Sequence, residues 1–374
     1  MIKRLIDPEA LIKPGKVLVI YGPRQVGKTT LLKAFLSGTH FKYRLDSGDN
    51  IRISDLLGSR DFARLLEYAE GYELIAIDEA QQIPGIGMGL KILVDQRPDL
   101  MVVATGSSSF DLSGMLGEPL TGRKLTVTLY PIALSELSAG HNRHELREML
   151  PSLLIFGCYP EIINAESTKG KITALEELTW SYLLKDVLSL ERTKGPRVLL
   201  DLLKLLSFQV GSLVSHHELA TQLKIDVKTV ERYLDLLEKT FVLRKVCGFS
   251  RNLRKEITAK SKYYFLDNGI RNSVISNFNS LNDRSDIGAL WENFIFCEML
   301  KKRTHEQNSG LFYFWKTYSG QEVDLVEERD GRIMGYECKW SDDDVRVPAK
   351  WHEEYPEAMF KVITHRNFLE YLLH

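Results

Sequence analysis

The residues best suited to chemistry lie between positions 22 and 30, where Gly22-Pro23-Arg24-Gln25-Val26-Gly27-Lys28-Thr29-Thr30 fits the spacing GxxxxGK[ST]. Two glycines let the backbone curl so that successive N–H groups face inward, and a helix starting there adds its positive end. The product is a cradle for phosphate. Lys28 is then expected to reach the outer phosphates of a nucleoside triphosphate, with the Thr29 hydroxyl ligating Mg2+. Asp78-Glu79 follows the apolar run Leu74-Ile75-Ala76-Ile77. Acidic side chains emerging at the carboxyl end of a buried strand suit such a cradle, Asp78 in the magnesium shell and Glu79 polarising an attacking water. Thr105 and Ser107, with Ser108 beyond them, end the apolar run 101–104, and their hydroxyls either sense the terminal phosphate or form a turn. Arg123 precedes the run 125–129, and by itself reads as a surface arginine beside a turn.

A second constellation stands near the carboxyl end. Glu292 falls on an expected helix, Asp324 on the strand 322–326, and Glu337 and Lys339 on the strand after it. Residues two apart on a strand face one side, so Glu337 and Lys339 would meet Asp324 from a neighbouring strand. Asp324 and Glu337 could share a Mg2+ ion while Lys339 positions a hydroxide. The bland alternatives are an exposed strand of alternating charge or an inherited catalytic fold that now only binds; a salt bridge between Glu337 and Lys339 is expected to be poorly placed to explain them. A third feature is basic: Arg244, Lys245, Arg251, Arg254, Lys255, Lys260 and Lys262 face only Glu256 among acids, with Lys228 and Arg232 on a helix before them. Such a stretch would follow a phosphate backbone without naming a base sequence, or else form a solvated hairpin or a protein-docking face.

These residues need elements to hold them. From 16 to 131, short runs of β-branched and apolar residues alternate with helical patterns such as 29–36, which predicts a parallel, doubly wound α/β sheet. From 135 to 208 the pattern turns helical and leucine-rich, and is read as a helical lid. Ser215-His216-His217-Glu218 has capping-box spacing, and Asp226 is placed to cap a following helix with Val230, Leu234 and Leu237 on one face. With candidate strands at 242–246 and 263–266, that makes a winged helix-turn-helix. The polar stretch 277–286 reads as a linker to a compact α/β unit. The expected units are thus 1–134, 135–208, 209–276 and 277–374.

Composition sets bounds on partners. Net charge is −1 and charged residues make up 26% of the chain, so no global field drives it onto nucleic acid or membrane, and electrostatic binding must be local. The four cysteines lack metal-type spacing and read as reduced thiols. No apolar window approaches the ~20 residues of a membrane span, and the amino end lacks a signal-type apolar stretch, so a cytoplasmic protein is expected.

The combination resembles a bacterial and archaeal family of AAA-type ATPases with an uncharacterised carboxyl-terminal domain related to restriction endonucleases. The match is carried by GPRQVGKTT at 22–30, IDEAQ at 77–81, TGSSS at 105–109, TGR at 121–123 and YPEI at 159–162. Further on it is carried by KSKYYFLDNGI at 260–270, WENF at 291–294, EVDLV at 322–326 and YECKW at 336–340. The resemblance implies ATP as the nucleotide, Arg123 as an arginine finger acting within or between subunits, and a homo-oligomer. The order Glu292, Asp324, Glu337, Lys339 is similar to the PD-(D/E)xK nucleases, which include Holliday-junction resolvases, though Val323 replaces the proline. Three functions compete: an ATPase coupling nucleotide state to DNA, including branched DNA; an ATP-dependent, Mg2+-dependent nuclease; and a signalling switch that binds protein.

Overall fold

The computed structural model describes residues 2–107, 120–183, 196–250, 261–307, 310–341 and 346–373. Five short runs form a wholly parallel sheet: β1 (Val17–Tyr21), β2 (Tyr43–Ser47), β3 (Leu74–Asp78), β4 (Met101–Gly106) and β5 (Lys124–Thr128). Their order is β2-β3-β4-β1-β5, so β4 separates the strand that leads into the glycine loop from the strand that ends in Asp78. Both faces are covered. Leu18, Ile20, Ala76 and Val103 pack into one apolar cluster, while Val17, Val19, Ile75 and Val102 pack into another. That double burial is why β1, β3 and β4 read as apolar runs instead of alternating ones, while the edge strands β2 and β5 stay partly exposed.

After β5 the described chain is helical to residue 208, as predicted, with helices at Arg143–Phe156, Pro160–Asn164, Thr168–Glu177 and Pro196–Phe208. Next come β6 (Leu213–Val214), helices His216–Leu223 and Val227–Lys239, and the antiparallel strands β7 (Leu243–Gly248) and β8 (Ser261–Phe265). Ser215 accepts the Glu218 N–H and Asp226 that of Thr229, so each short helix starts where its capping residue was read.

Two expectations need correction. The hairpin and the carboxyl-terminal unit are not separate sheets: β9 (Phe312–Lys316) pairs in parallel with β7, and β10 (Glu322–Arg329), β11 (Arg332–Cys338) and β12 (Met359–Ile363) extend one sheet of seven strands. Nor is 277–286 a loose connection. The Arg284 guanidinium is fully buried, bonding to Asp286, Asn277 O and Asn272, and Arg271 joins the same Asp286 at 2.5 Å. Polar residues are turn-forming in isolation, but here paired charges tie the turn down.

The helix Ile287–His305 binds the two halves. Glu298 and Lys301 form a buried ion pair at 2.6 Å; Glu298 accepts the N–H of Leu134 and Lys301 donates to Ile132 O, both just beyond β5.

Candidate functional site

At the carboxyl end of β1 the chain turns through Gly22 at φ 153° and Gly27 at φ 95°. A Cβ on Gly22 would stand 2.1 Å from Leu129 O, so only glycine lets the loop pass beneath the end of β5. Gly27 begins the helix Lys28–Gly38 and leaves its first N–H groups pointing into the curl. Lys28 is nearly buried, its ammonium donating to Gly22 O and Pro23 O, both at 2.9 Å, which fixes it across the mouth of the loop.

The acidic strand meets this loop because β4 intervenes. Ile77 lies beside Ala104, so Asp78 comes level with Thr105. Thr29 Oγ1 donates to Asp78 Oδ2 at 2.7 Å, and Thr105 Oγ1 donates to the other carboxylate oxygen. Thr105 also accepts the Glu79 N–H at 3.2 Å. Glu79 sits at φ 50°, a left-handed setting unusual for a glutamate, and its carboxylate accepts from the Gln81 amide, whose oxygen takes the Ser107 N–H at 3.3 Å. The structure therefore brings together Lys28, Thr29, Asp78, Glu79, Thr105 and Ser107, with Arg24, Gln25 and Thr30 on the rim. A hydroxyl and a carboxylate sharing one hydrogen bond form a hard-oxygen donor set, which fits a hydrated Mg2+ ion. Pro23 and Val26 complete the loop as buried walls; Ser108 lies outside the described residues.

Sequence reasoning passed over two parts of this site. Gln81 orients Glu79 and was legible only as part of the quoted IDEAQ run. The other is a cavity of about 820 Å3 beside the loop, lined by Ile2, Arg4, Ile6, Thr30, Leu31 and Pro160 among others. Arg4 shapes it, donating to Val26 O at 2.7 Å, to Tyr130 O at 2.6 Å and to Glu136 at 2.8 Å. Burial opposes the Glu136 charge, yet Arg4 and the Ala133 and Leu5 N–H groups hold its carboxyl below the ordinary range. An arginine four residues from the start carries no local signal of this role.

Arg123 is placed differently from the other expected residues. Its carbonyl accepts the Val17 N–H at the amino end of β1, and its guanidinium pairs with Asp95 at 2.5 Å. The loop begins at the other end of that five-residue strand, roughly 13 Å away at the usual rise. Arg123 therefore does not face the phosphate cradle of its own chain.

In the carboxyl-terminal unit, Glu292, Asp324, Glu337 and Lys339 converge. A register slip between Val323 and Val326 puts Asp324 at a bulge, where its Oδ2 accepts the Cys338 N–H at 2.8 Å. Lys339 pairs with Glu337 at 2.8 Å, contrary to the expectation that this bridge is poorly placed: the Lys339 N–H still bonds to Ile363 O beside β12, so the backbone stays extended and the two side chains share a face. Lys262, read as a DNA-contacting lysine, is instead fully buried. Its ammonium lies 3.1 Å from Glu292, 2.7 Å from Glu322 and 4.0 Å from Asp324, and Tyr264 donates to Glu292 at 2.5 Å. Burial raises the Glu292 carboxyl to about 7 against the pull of Lys262; burial, with a lesser push from Glu322, raises Asp324 against Lys262, and burial with repulsion from Asp324 raises Glu337. Among the described residues, no three His, Cys, Asp or Glu side chains come together in a way that could hold a metal ion.

On the helix Val227–Lys239, Lys228 and Arg232 are exposed one turn apart, with Arg244 and Lys245 exposed on β7. Arg251, Arg254, Lys255 and Lys260 lie outside the described residues.

The parallel sheet with its glycine loop, lysine and paired acidic strand defines a P-loop nucleotide-binding domain, and residues 14–138 match the AAA domain family. Residues 147–281 and 287–365 match two domains of unknown function, DUF8612 and DUF4143. The chain is 29% identical over 334 residues to an uncharacterised protein of Mycobacterium tuberculosis, covering 86% of this chain and 70% of that one. It is 25% identical over 360 residues to an uncharacterised protein of Haemophilus influenzae, covering 90% and 84%. The replication initiator DnaA bound to AMPPCP and single-stranded DNA aligns over 61% of this chain and 83% of its own at 14% identity; with a TM-score of 0.31 the likeness is too slight to bear on function. No helix among the described residues is long and apolar enough to cross a membrane.

Proposed function

We propose that the chain binds and hydrolyses ATP and uses the nucleotide state to govern contact with DNA, with branched DNA as one substrate. The carrying observation is the cluster of Lys28, Thr29, Asp78, Thr105 and Glu79 at one sheet edge, tied by direct hydrogen bonds. The backbone N–H groups along Gly22–Lys28, Pro23 having none, would hold the β-phosphate, and Lys28 would leave its carbonyl partners for the outer phosphate oxygens. Thr29 and Asp78 would hold Mg2+, which when bound offsets the charge gathering on those oxygens. Glu79, oriented by Gln81, would position a water and receive its proton. The cavity shaped by Arg4 would take the base. Arg123, turned away from its own cradle, would act on a neighbouring subunit of a homo-oligomer.

DNA contact would rest on Lys228 and Arg232, exposed together on the helix Val227–Lys239 that precedes β7 and β8. Their charges would meet phosphates, so affinity should fall steeply with salt and depend little on sequence. The test is a mobility-shift titration with linear and four-way DNA at two salt concentrations, with ATP and with ADP. Lys228→Ala with Arg232→Ala should weaken binding uniformly and flatten the salt slope by about two units. Indifference of the wild type to both DNA forms, or an affinity unmoved by salt, would remove the DNA half of the proposal.

A further inference from the structure

The acidic residues that resemble a nuclease centre already surround a cation, and that cation comes from the basic hairpin. Lys262 on β8 is 0% exposed, and an ammonium so deep must be paired. Its partners are Glu292 on the long helix and Glu322 and Asp324 on β10. Two more lysines pair with acids of the cluster, Lys316 with Glu322 at 2.5 Å and Lys339 with Glu337 at 2.8 Å. Asp324 spends its second oxygen on the Cys338 N–H.

A divalent ion would require several of these oxygens at about 2.0–2.6 Å. It would sit beside a buried ammonium that holds them first. The backbone also closes over the cluster: a Cβ on Gly211 would stand 2.7 Å from a Glu292 carboxylate oxygen, so the turn before β6 lies directly against it. One atom remains in a metal's favour, the buried Glu337 Oε2, which has no hydrogen-bond partner.

We propose that Lys262 is the resident cation of this cluster, standing where a nuclease would carry a divalent metal, and that the cluster fastens β8 to β10 within the one sheet and to the helix Ile287–His305. The unit is then a clamp on the β7–β8 hairpin and cuts nothing.

Mn2+ titration followed by electron paramagnetic resonance on the full chain without nucleotide decides the point, in an Asp78→Asn background that removes the P-loop ion. The expected result is no ion bound with a dissociation constant below about 1 mM. Lys262→Met should create one site at least about tenfold tighter, lost again on adding Glu292→Gln, while Lys262→Arg should leave the cluster closed. One Mn2+ ion bound at micromolar concentration by the Asp78→Asn protein, and lost in Asp324→Asn, would overturn the proposal. Should Lys262→Met fail to fold, the Asp78→Asn titration with and without Asp324→Asn decides alone, and it does so whether or not the chain hydrolyses ATP.

Discussion

At the scale of single residues, the proposed nucleotide site would divide into groups that hold and one that reacts. Lys28→Ala removes the only ammonium placed at the loop mouth among the described residues, so ATP uptake measured by calorimetry should be abolished. Glu79→Gln keeps the shape of the site but cannot accept a proton. Binding should persist while turnover falls by about 10²-fold or more, the usual worth of a positioned general base. Arg123 invites a mixing experiment, because its side chain faces away from its own loop. Arg123→Ala and Lys28→Ala proteins should each be inactive alone. An equimolar mixture should regain hydrolysis if an intact Arg123 of the Lys28→Ala subunit serves the intact loop of its neighbour; a silent mixture would assign Arg123 to its ion pair with Asp95.

At the scale of elements, the helix Asn268–Val274 is held by its own cap. Asp267 accepts N–H groups from Gly269, Ile270 and, across the molecule, Cys158 at 2.7 Å, while burial pushes its carboxyl up to about 6 against those donors. A carboxyl whose folded pKa is raised favours the protonated native state. Its contribution is present below the unfolded value near 4 and is lost as pH rises through about 6. The unfolding midpoint of the wild type should therefore fall relative to Asp267→Asn as pH goes from about 4 to 7, by the equivalent of ~3 kcal/mol at most. A difference between the two proteins that does not change with pH would show that the three N–H groups, not burial, set this carboxyl.

At the scale of the whole molecule, the helix Ile287–His305 touches both the stretch after β5 and the carboxylate cluster. Lys301→Met would leave Glu298 buried without its cation, against a Leu134 N–H alone. Removing one partner of a buried pair costs about 3–5 kcal/mol, so the midpoint of chemical unfolding should drop sharply. If the helix fastens the two halves, the variant should also unfold in two steps where the wild type unfolds in one.

The phosphate cradle, the acidic strand end and the alternation of the first sheet were legible because local chemistry specifies them: glycine spacing, a lysine beside a hydroxyl, apolar runs of strand length. The starts of the short helices at Ser215 and Asp226 could be read for the same reason. What stayed hidden was set by residues far apart in the chain. Lys262 and Glu322 are 60 positions apart, and nothing near either one distinguishes a buried ammonium from a solvated one. Arg4 and Glu136 likewise meet only because the amino-terminal segment crosses the loop. Sequence alone determined which groups could grip a triphosphate. Tertiary structure alone decided which charges face water and which neutralise one another inside, because the cost of burying a charge depends on partners that only the folded chain brings within reach.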